Sequence, residues 1–279
     1  MGSTPAGRTI RLASLAHGKP VNNVECSITR YSVFMTSACS SVVREFQALA
    51  DPEKAVFFPR FFKTGKGQYG EGDLFLGITV PNVRTMAKKY GDASYKDIET
   101  LLENPYHEVR MLALMILVHQ YESAPDSVRK KQIVDFYIDH RQQVNNWDLV
   151  DLSAYKILGD YLLTHGRKIL YRFAKTPHLW TQRVAIVSTY AFIRAGEFDD
   201  TLKLAEIFLV HPHDLMHKAV GWMLREVGKR DEKVLRGFLD EHAHAMPRTM
   251  LRYAIEKFSP EVRKQYLFTV PSARRANSQ

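Results

Sequence analysis

The stretch NNWDLVDLSAY, residues 145–155, holds residue types from which a charge-handling site can be made. On a helix, Trp147 and Asp151 stand four apart and share one edge, so an indole face and a carboxylate look out side by side. Indole faces attract cations, and a fixed carboxylate stabilises positive charge that develops next to it. Asp148 has a local reason to be acidic, because the positive end of the helix dipole favours a carboxylate in the first turn. Asp151 lies beyond that reach. Its structural alternative is an ion pair with a Lys or Arg of a neighbouring helix, and the structural alternative for Trp147 and Trp222 is core packing.

Two other patterns invite chemistry and do not support it. GKGQYG, with Gly65, Gly67 and Gly70, fits G-x-G-x-x-G literally, but the dinucleotide fingerprint needs a strand before it and a helix after it. Here FFPRFFKT precedes and EGDLFLGITVP follows as further loop, and no VAIK-like lysine strand supports a kinase. The segment reads as a glycine-rich connection carrying Lys63, Lys66, Gln68 and Tyr69, able to approach a phosphate backbone through its amides. His213 and His217 are spaced i, i+4, and His242 and His244 are close in sequence. They lack the glutamate of HExxH and a third ligand at standard spacing, so no metal and no cofactor is expected. No GxSxG or Cys–His arrangement points to a nucleophile.

The elements that must position Trp147 and Asp151 are helices. From Met35 onward apolar periodicity is helical and no alternating strand pairs appear. Pro52, Pro81, Pro105, Pro177, Pro212, Pro247 and Pro260 fall at or near the starts of these runs, where a missing amide hydrogen is tolerated. Asn145 or Asn146 is a good N-cap for a helix running to about His165, with Val150, Ala154, Ile157 and Tyr161 as its buried stripe. Five helices align by their most apolar stretch: Arg110 leads MLALMILV, Asp151 leads LSAYKILG, Arg183 leads VAIVSTYA, Lys218 leads AVGWMLRE and Arg252 leads YAIEKF. The leading positions recur at intervals in the thirties to low forties, with a more polar helix such as KKQIVDFYIDH or TLKLAEIFLV between them. That period predicts an all-α fold, a right-handed α-solenoid of HEAT-like helix pairs. Four leading residues are basic and one is acidic, so the equivalent face is expected to be a concave basic groove interrupted by a carboxylate.

Composition agrees with a polyanionic partner. In 279 residues, 39 Lys and Arg against 30 Asp and Glu give a formal charge of +9, which suits nucleic acid or an anionic membrane surface. Cys26 and Cys39 are the sole cysteines, so a disulfide framework is absent and a reducing, cytoplasmic setting is expected. No run of apolar residues is long enough to span a membrane. Residues 1–34 lack helical periodicity and carry four basic residues against Glu25. They fit a flexible extension or an organellar transit peptide. The expected organisation is therefore an N-terminal extension at 1–34, a helical-repeat domain at 35–270 and a flexible tail at 271–279.

NNWDLVD, WTQRVAI and HKAVGWMLRE, together with the earlier DPEKA and FLGITVPNVR, resemble the AlkD-like DNA alkylation repair family of helical-repeat DNA glycosylases. The likeness runs from about residue 36 to 258, and the order and spacing of Trp147, Asp151, Arg183 and Trp222 match the family's active-site set. The resemblance implies hydrolytic release of cationic N3- or N7-alkylated purines from double-stranded DNA, in base excision repair, without metal or cofactor. It implies that Asp151 is the catalytic carboxylate, that Trp147 and Trp222 contact the lesion, and that Arg183 contacts the DNA backbone. Phe61 falls where well-known members place a tyrosine and is read as a further lesion contact. Asn146 stands where those members have an aromatic, and both departures bear on lesion range. Arg110, Lys218 and Arg252 complete the expected DNA-binding groove, since Asp151 near phosphates is repulsive unless cations surround it. The expected protein is a monomer of the bacterial cytoplasm and nucleoid. The rival readings are a non-catalytic helical-repeat module for DNA or RNA, and a protein-binding scaffold.

Overall fold

A computed structural model describes residues 37–269, so the expected extension at 1–34 and tail at 271–279 lie outside the described residues. Within them all regular structure is helical, and the β-type pairing is one isolated bridge between Leu74 and Tyr106. The chain opens with α1 (Ser37–Gln47) and α2 (Pro52–Phe61), then crosses a long connection to α3 (Val80–Lys89), α4 (Tyr95–Leu102), α5 (His107–Glu122) and α6 (Ser127–Asp139). α7 (Trp147–Ala154) follows, then α8 (Lys168–Ala174), α9 (Leu179–Ser188), α10 (Tyr190–Arg194) and α11 (Asp199–Ile207). The last four are α12 (Asp214–Arg230), α13 (Glu232–His242), α14 (Arg248–Ala254) and α15 (Pro260–Thr269).

Local chemistry explains where these helices start. Asp51 accepts hydrogen bonds from the amides of Glu53 and Lys54, Ser94 from Asp97, and Asp126 from Arg129, each satisfying donors that a first turn leaves open. Pro52 and Pro260 are first helical residues, and Pro247 is the residue before α14. No helix among the described residues is long and apolar enough to cross a membrane.

The core is threaded by α5 and α9, whose sequences are apolar on nearly every side. Val109, Leu112, Ala113, Ile116 and Leu117 of α5 are fully buried, as are Val184, Ala185, Ile186 and Val187 of α9. A helix apolar all round belongs inside. Successive members of the set α5, α7, α9, α12 and α14 are neighbours, so the five aligned stretches lie in one row.

The helix expected to run from Asn146 to about His165 is shorter and irregular. After Ala154 it widens into a π-turn over Tyr155–Gly159 and ends just past Asp160. Val150, Ala154 and Ile157 are buried as expected, whereas Tyr161 is half-buried and stacks on His165. Close packing on α9 accompanies the widening. A Cβ on Gly159 would lie 2.3 Å from the Ser188 carbonyl oxygen, so only a glycine lets the two backbones approach there.

Candidate active site

Asn146 caps α7 by accepting the Trp147 amide at 2.8 Å, so the helix starts with Trp147 and Asp151 on one edge. That edge faces a cleft of about 680 Å³ formed with α9, α12 and the loop after α2. Trp147, Asp151, Arg183, Lys218, Trp222 and Phe61 all line it, which gathers six of the eight expected site residues.

Asp151 and Arg183 meet in a two-pronged ion pair. Arg183 Nε donates to one carboxylate oxygen at 2.9 Å and Nη2 to the other at 2.8 Å, while Nη1 donates to the Leu215 carbonyl at 2.6 Å. The Arg183 side chain is 5% exposed and that of Asp151 16%, so the arginine is the hidden partner and the carboxylate is the one open to the cleft. Burial lifts the Asp151 carboxyl above its ordinary range. Arg183 opposes this without cancelling it, and the nearby negative charge of Asp148 adds to the rise.

The indole of Trp147 is held on three sides. Phe62 stacks on it at 5.6 Å between ring centres, Phe61 meets it edge-on at 5.7 Å, and the Tyr69 hydroxyl lies beside its ring N–H. Phe61 itself is 52% exposed. Trp222 is half-buried and lies against Tyr190 at 5.8 Å.

A family model described as DNA alkylation repair enzyme matches residues 42–258. The chain belongs to the DNA alkylation repair enzyme family. A solved structure described as a predicted DNA alkylation repair enzyme from Enterococcus faecalis is similar in fold, with a TM-score of 0.61 at 18% identity. The likeness covers 76% of this chain and 97% of that one. No match is found among curated proteins.

Two of the cations expected in the groove of this alkylation repair chain stand elsewhere. Arg110 is 5% exposed and donates to Asp73 at 2.6 Å and to the carbonyls of Asn104 and Pro105, so it braces the loop before α5 and faces no solvent. Arg252 is exposed but outside the cleft, to which the adjacent Tyr253 contributes instead. Lys218 remains at the cleft, paired with Asp214 at 2.8 Å. Among the described residues no three His, Cys, Asp or Glu side chains gather where they could hold a metal ion.

Behind the cleft lies a buried charge network that sequence spacing does not reveal. His107, 1% exposed, places Nε2 2.8 Å from Asp148 and Nδ1 3.4 Å from Asp73. Asp73 also takes Arg110 and the side-chain amide of Asn146 at 3.1 Å. Burial disfavours charge on His107, but the two carboxylates outweigh it and push its pKa up to about 9. The Asn146 amide thus ties the first turn of α7 to Asp73, which accounts physically for a short polar residue there. Asp148, which the dipole argument explained locally, is one jaw of this clamp.

The glycine-rich connection also has a use the sequence reading did not give it. The amides of Gly65, Gly67, Gln68 and Gly70 bond to Gln68 Oε1, Glu71 Oε2, Gly65 O and Lys63 O, so they are not free for phosphate. Its end is pinned by Glu108, whose carboxylate accepts from the amides of Leu76, Gly77 and Ile78. What the loop delivers to the cleft is side chains, Lys63 and Tyr69. Three glycines at positive φ, Gly67, Gly72 and Gly77, flag a shaped loop in the sequence, but which residue it aims requires the fold.

Proposed function

We propose that this protein is a DNA glycosylase that hydrolyses the N-glycosidic bond of N3- and N7-alkylated purines in double-stranded DNA, within base excision repair. The observation that carries the reading is the Asp151 carboxylate, open to a cleft that two tryptophans share, in a chain of the alkylation repair family. Alkylation at N3 or N7 makes the purine a cation and a good leaving group. Cleavage then needs chiefly stabilisation of the positive charge that develops on the deoxyribose as the base departs. Asp151 supplies that charge stabilisation and orients the attacking water, as carboxylates do in glycoside hydrolysis. Trp147 and Trp222 offer ring faces to the cationic base, each contact being worth about 0.5–2 kcal/mol. Phe61 widens that aromatic wall.

Arg183 holds Asp151 in place and favours its ionised form, which we read as its main task, with DNA backbone contact left to Lys218 and Lys63. The row of neighbouring helices supports a right-handed solenoid of HEAT-like pairs whose concave face is the DNA groove. The same ion pair is also what a non-catalytic DNA-binding module would show, with Asp151 serving only to neutralise Arg183. Asp151→Asn separates the two readings, because it keeps the shape and removes the charge. Under the glycosylase reading, single-turnover release of 7-methylguanine falls by at least about 100-fold, roughly 3 kcal/mol of barrier, while duplex affinity is equal or higher. Release within about twofold of wild type would return Asp151 to a structural role.

A further inference from the structure

The phenol of Tyr69 is half-buried, lines the cleft beside Trp147, and belongs to the loop after α2 rather than to any of the aligned helices. Its oxygen lies close enough to the Trp147 ring N–H to feel that dipole. Its ring packs edge-on against Trp180 at 5.9 Å, which fixes the direction in which the hydroxyl points. The loop that carries it is rigid by construction. Its backbone is closed on itself, and a Cβ on Gly70 would sit 2.7 Å from the carbonyl oxygen of Phe62, the residue that caps α2, so the loop contacts the backbone at the end of that helix one residue after Tyr69.

The hydroxyl has a proton of its own to donate. Its acceptor within the protein is the Phe61 carbonyl at 3.4 Å, well beyond the 2.7–2.8 Å typical of an O–H···O bond. A half-buried donor with so long a bond is poised for a better acceptor. The cleft is lined by Lys63, Arg183, Lys218 and Arg225 against Asp151 and Asp214, a balance that makes an anionic oxygen the favoured acceptor. We propose that Tyr69 is a substrate-contacting residue whose phenolic O–H donates to one non-bridging phosphodiester oxygen of the lesion-bearing strand. The inference rests on reading the cleft as a duplex-DNA site and adds to it a hydrogen-bond donor that no helix supplies. Burial outweighs the Trp147 N–H and the Lys218 and Arg183 charges and keeps the phenol above its ordinary pKa, so it is a donor throughout the neutral range. The contact fixes where the strand runs past Trp147, and so which nucleotide faces Asp151.

The test is a cycle between protein and DNA. Tyr69→Phe and wild type are compared by fluorescence anisotropy on duplexes with a single 7-methylguanine, in which one phosphate at a time near the lesion is replaced by a neutral methylphosphonate. On the all-phosphodiester duplex Tyr69→Phe weakens binding about 10- to 100-fold, the scale of one neutral donor to a charged acceptor. At one phosphonate position wild type falls by a similar factor and Tyr69→Phe causes no further loss. If the loss from Tyr69→Phe is the same on every duplex, the hydroxyl acts only by holding Trp147, and the proposal is overturned. No loss on any duplex overturns it too. Base release from the same duplexes is scored separately. A cycle that closes at one phosphate without any release leaves the Tyr69 contact standing and removes the glycosylase reading. Absence of salt-sensitive binding by wild type removes both.

Discussion

The clamp formed by Asp73, His107 and Asp148 makes stability depend on pH in a window where few other groups change. In the fold the His107 pKa is about 9, against 6.5 when unfolded. The folded value is the higher one, so the contribution is fully present below about pH 6.5 and is lost as pH rises through about 9. A gap of roughly 2.5 units at about 1.4 kcal/mol per unit gives on the order of 3 kcal/mol at the acid plateau, about 2 at pH 7.5 and a few tenths at pH 9.5. The charged groups facing His107 are Asp148, Asp73, Arg110 and its neighbour Glu108. His178, His211 and His213 have lowered pKa values, so their effect falls at and below pH 6.5, outside the window. Urea unfolding at four pH values from 6.5 to 9.5 reads the slope. His107→Gln flattens it and lowers stability at pH 6.5 by a similar amount. A wild-type profile flat to within about 0.5 kcal/mol over that window would refute the clamp as a histidinium device. Since Asp148 lies beside Trp147, the same titration is expected to weaken excision at high pH before the protein unfolds.

The other predictions concern the cleft directly. Base release, corrected for spontaneous depurination, should show an acid limb above the ordinary carboxylate range near pH 4, because Asp151 acts ionised and burial raises its pKa; a limb at or below 4 would remove the burial argument. Arg183→Ala leaves a buried carboxylate without its partner and should destabilise the fold by roughly 3–5 kcal/mol, while the slope of log Kd against log salt stays within half a unit of wild type. A slope shallower by a full unit would instead make Arg183 a phosphate contact. Trp147→Ala and Trp222→Ala should each slow release of 7-methylguanine by roughly 3- to 30-fold, with neutral bases such as uracil released by none of the proteins. Efficient uracil release would contradict recognition by charge.

Which parts of this were legible in the sequence follows from the range of the interactions. The Asn146 cap, the shared edge of Trp147 and Asp151, and the prolines at helix starts depend on residues within one or two turns, so spacing alone predicts them. The repeated register brought Asp151, Arg183 and Lys218 to one cleft because successive core helices are neighbours. It misplaced Arg110 because a register says which turn of a helix a residue occupies, not what a long loop lays over it, while Arg252 is exposed on the same row without lining the cleft. For Arg110 that loop carries Asp73, 37 residues away in sequence. The His107 clamp and the aim of Tyr69 depend on the same loop and were illegible for the same reason. The π-turn needed knowledge of Ser188, on a helix that sequence pattern could name but not position.

That π-turn has a consequence for how this site tolerates change. A turn of five residues in place of the usual four amounts to one extra residue, about 100° of helical phase, inserted between Ala154 and Asp160. The Trp147–Asp151 edge and the residues beyond Gly159 are therefore out of step with each other by one position, like two gears on a shaft with a slipped key, and Tyr161 leaves the buried stripe that Val150, Ala154 and Ile157 keep. Substitutions that re-aim the cleft edge need not propagate into the packing beyond Gly159, and the reverse also holds. Deleting one residue from 155–159 would restore a regular helix at the expense of that independence, forcing either the reactive edge or the packed face to rotate away from its partners.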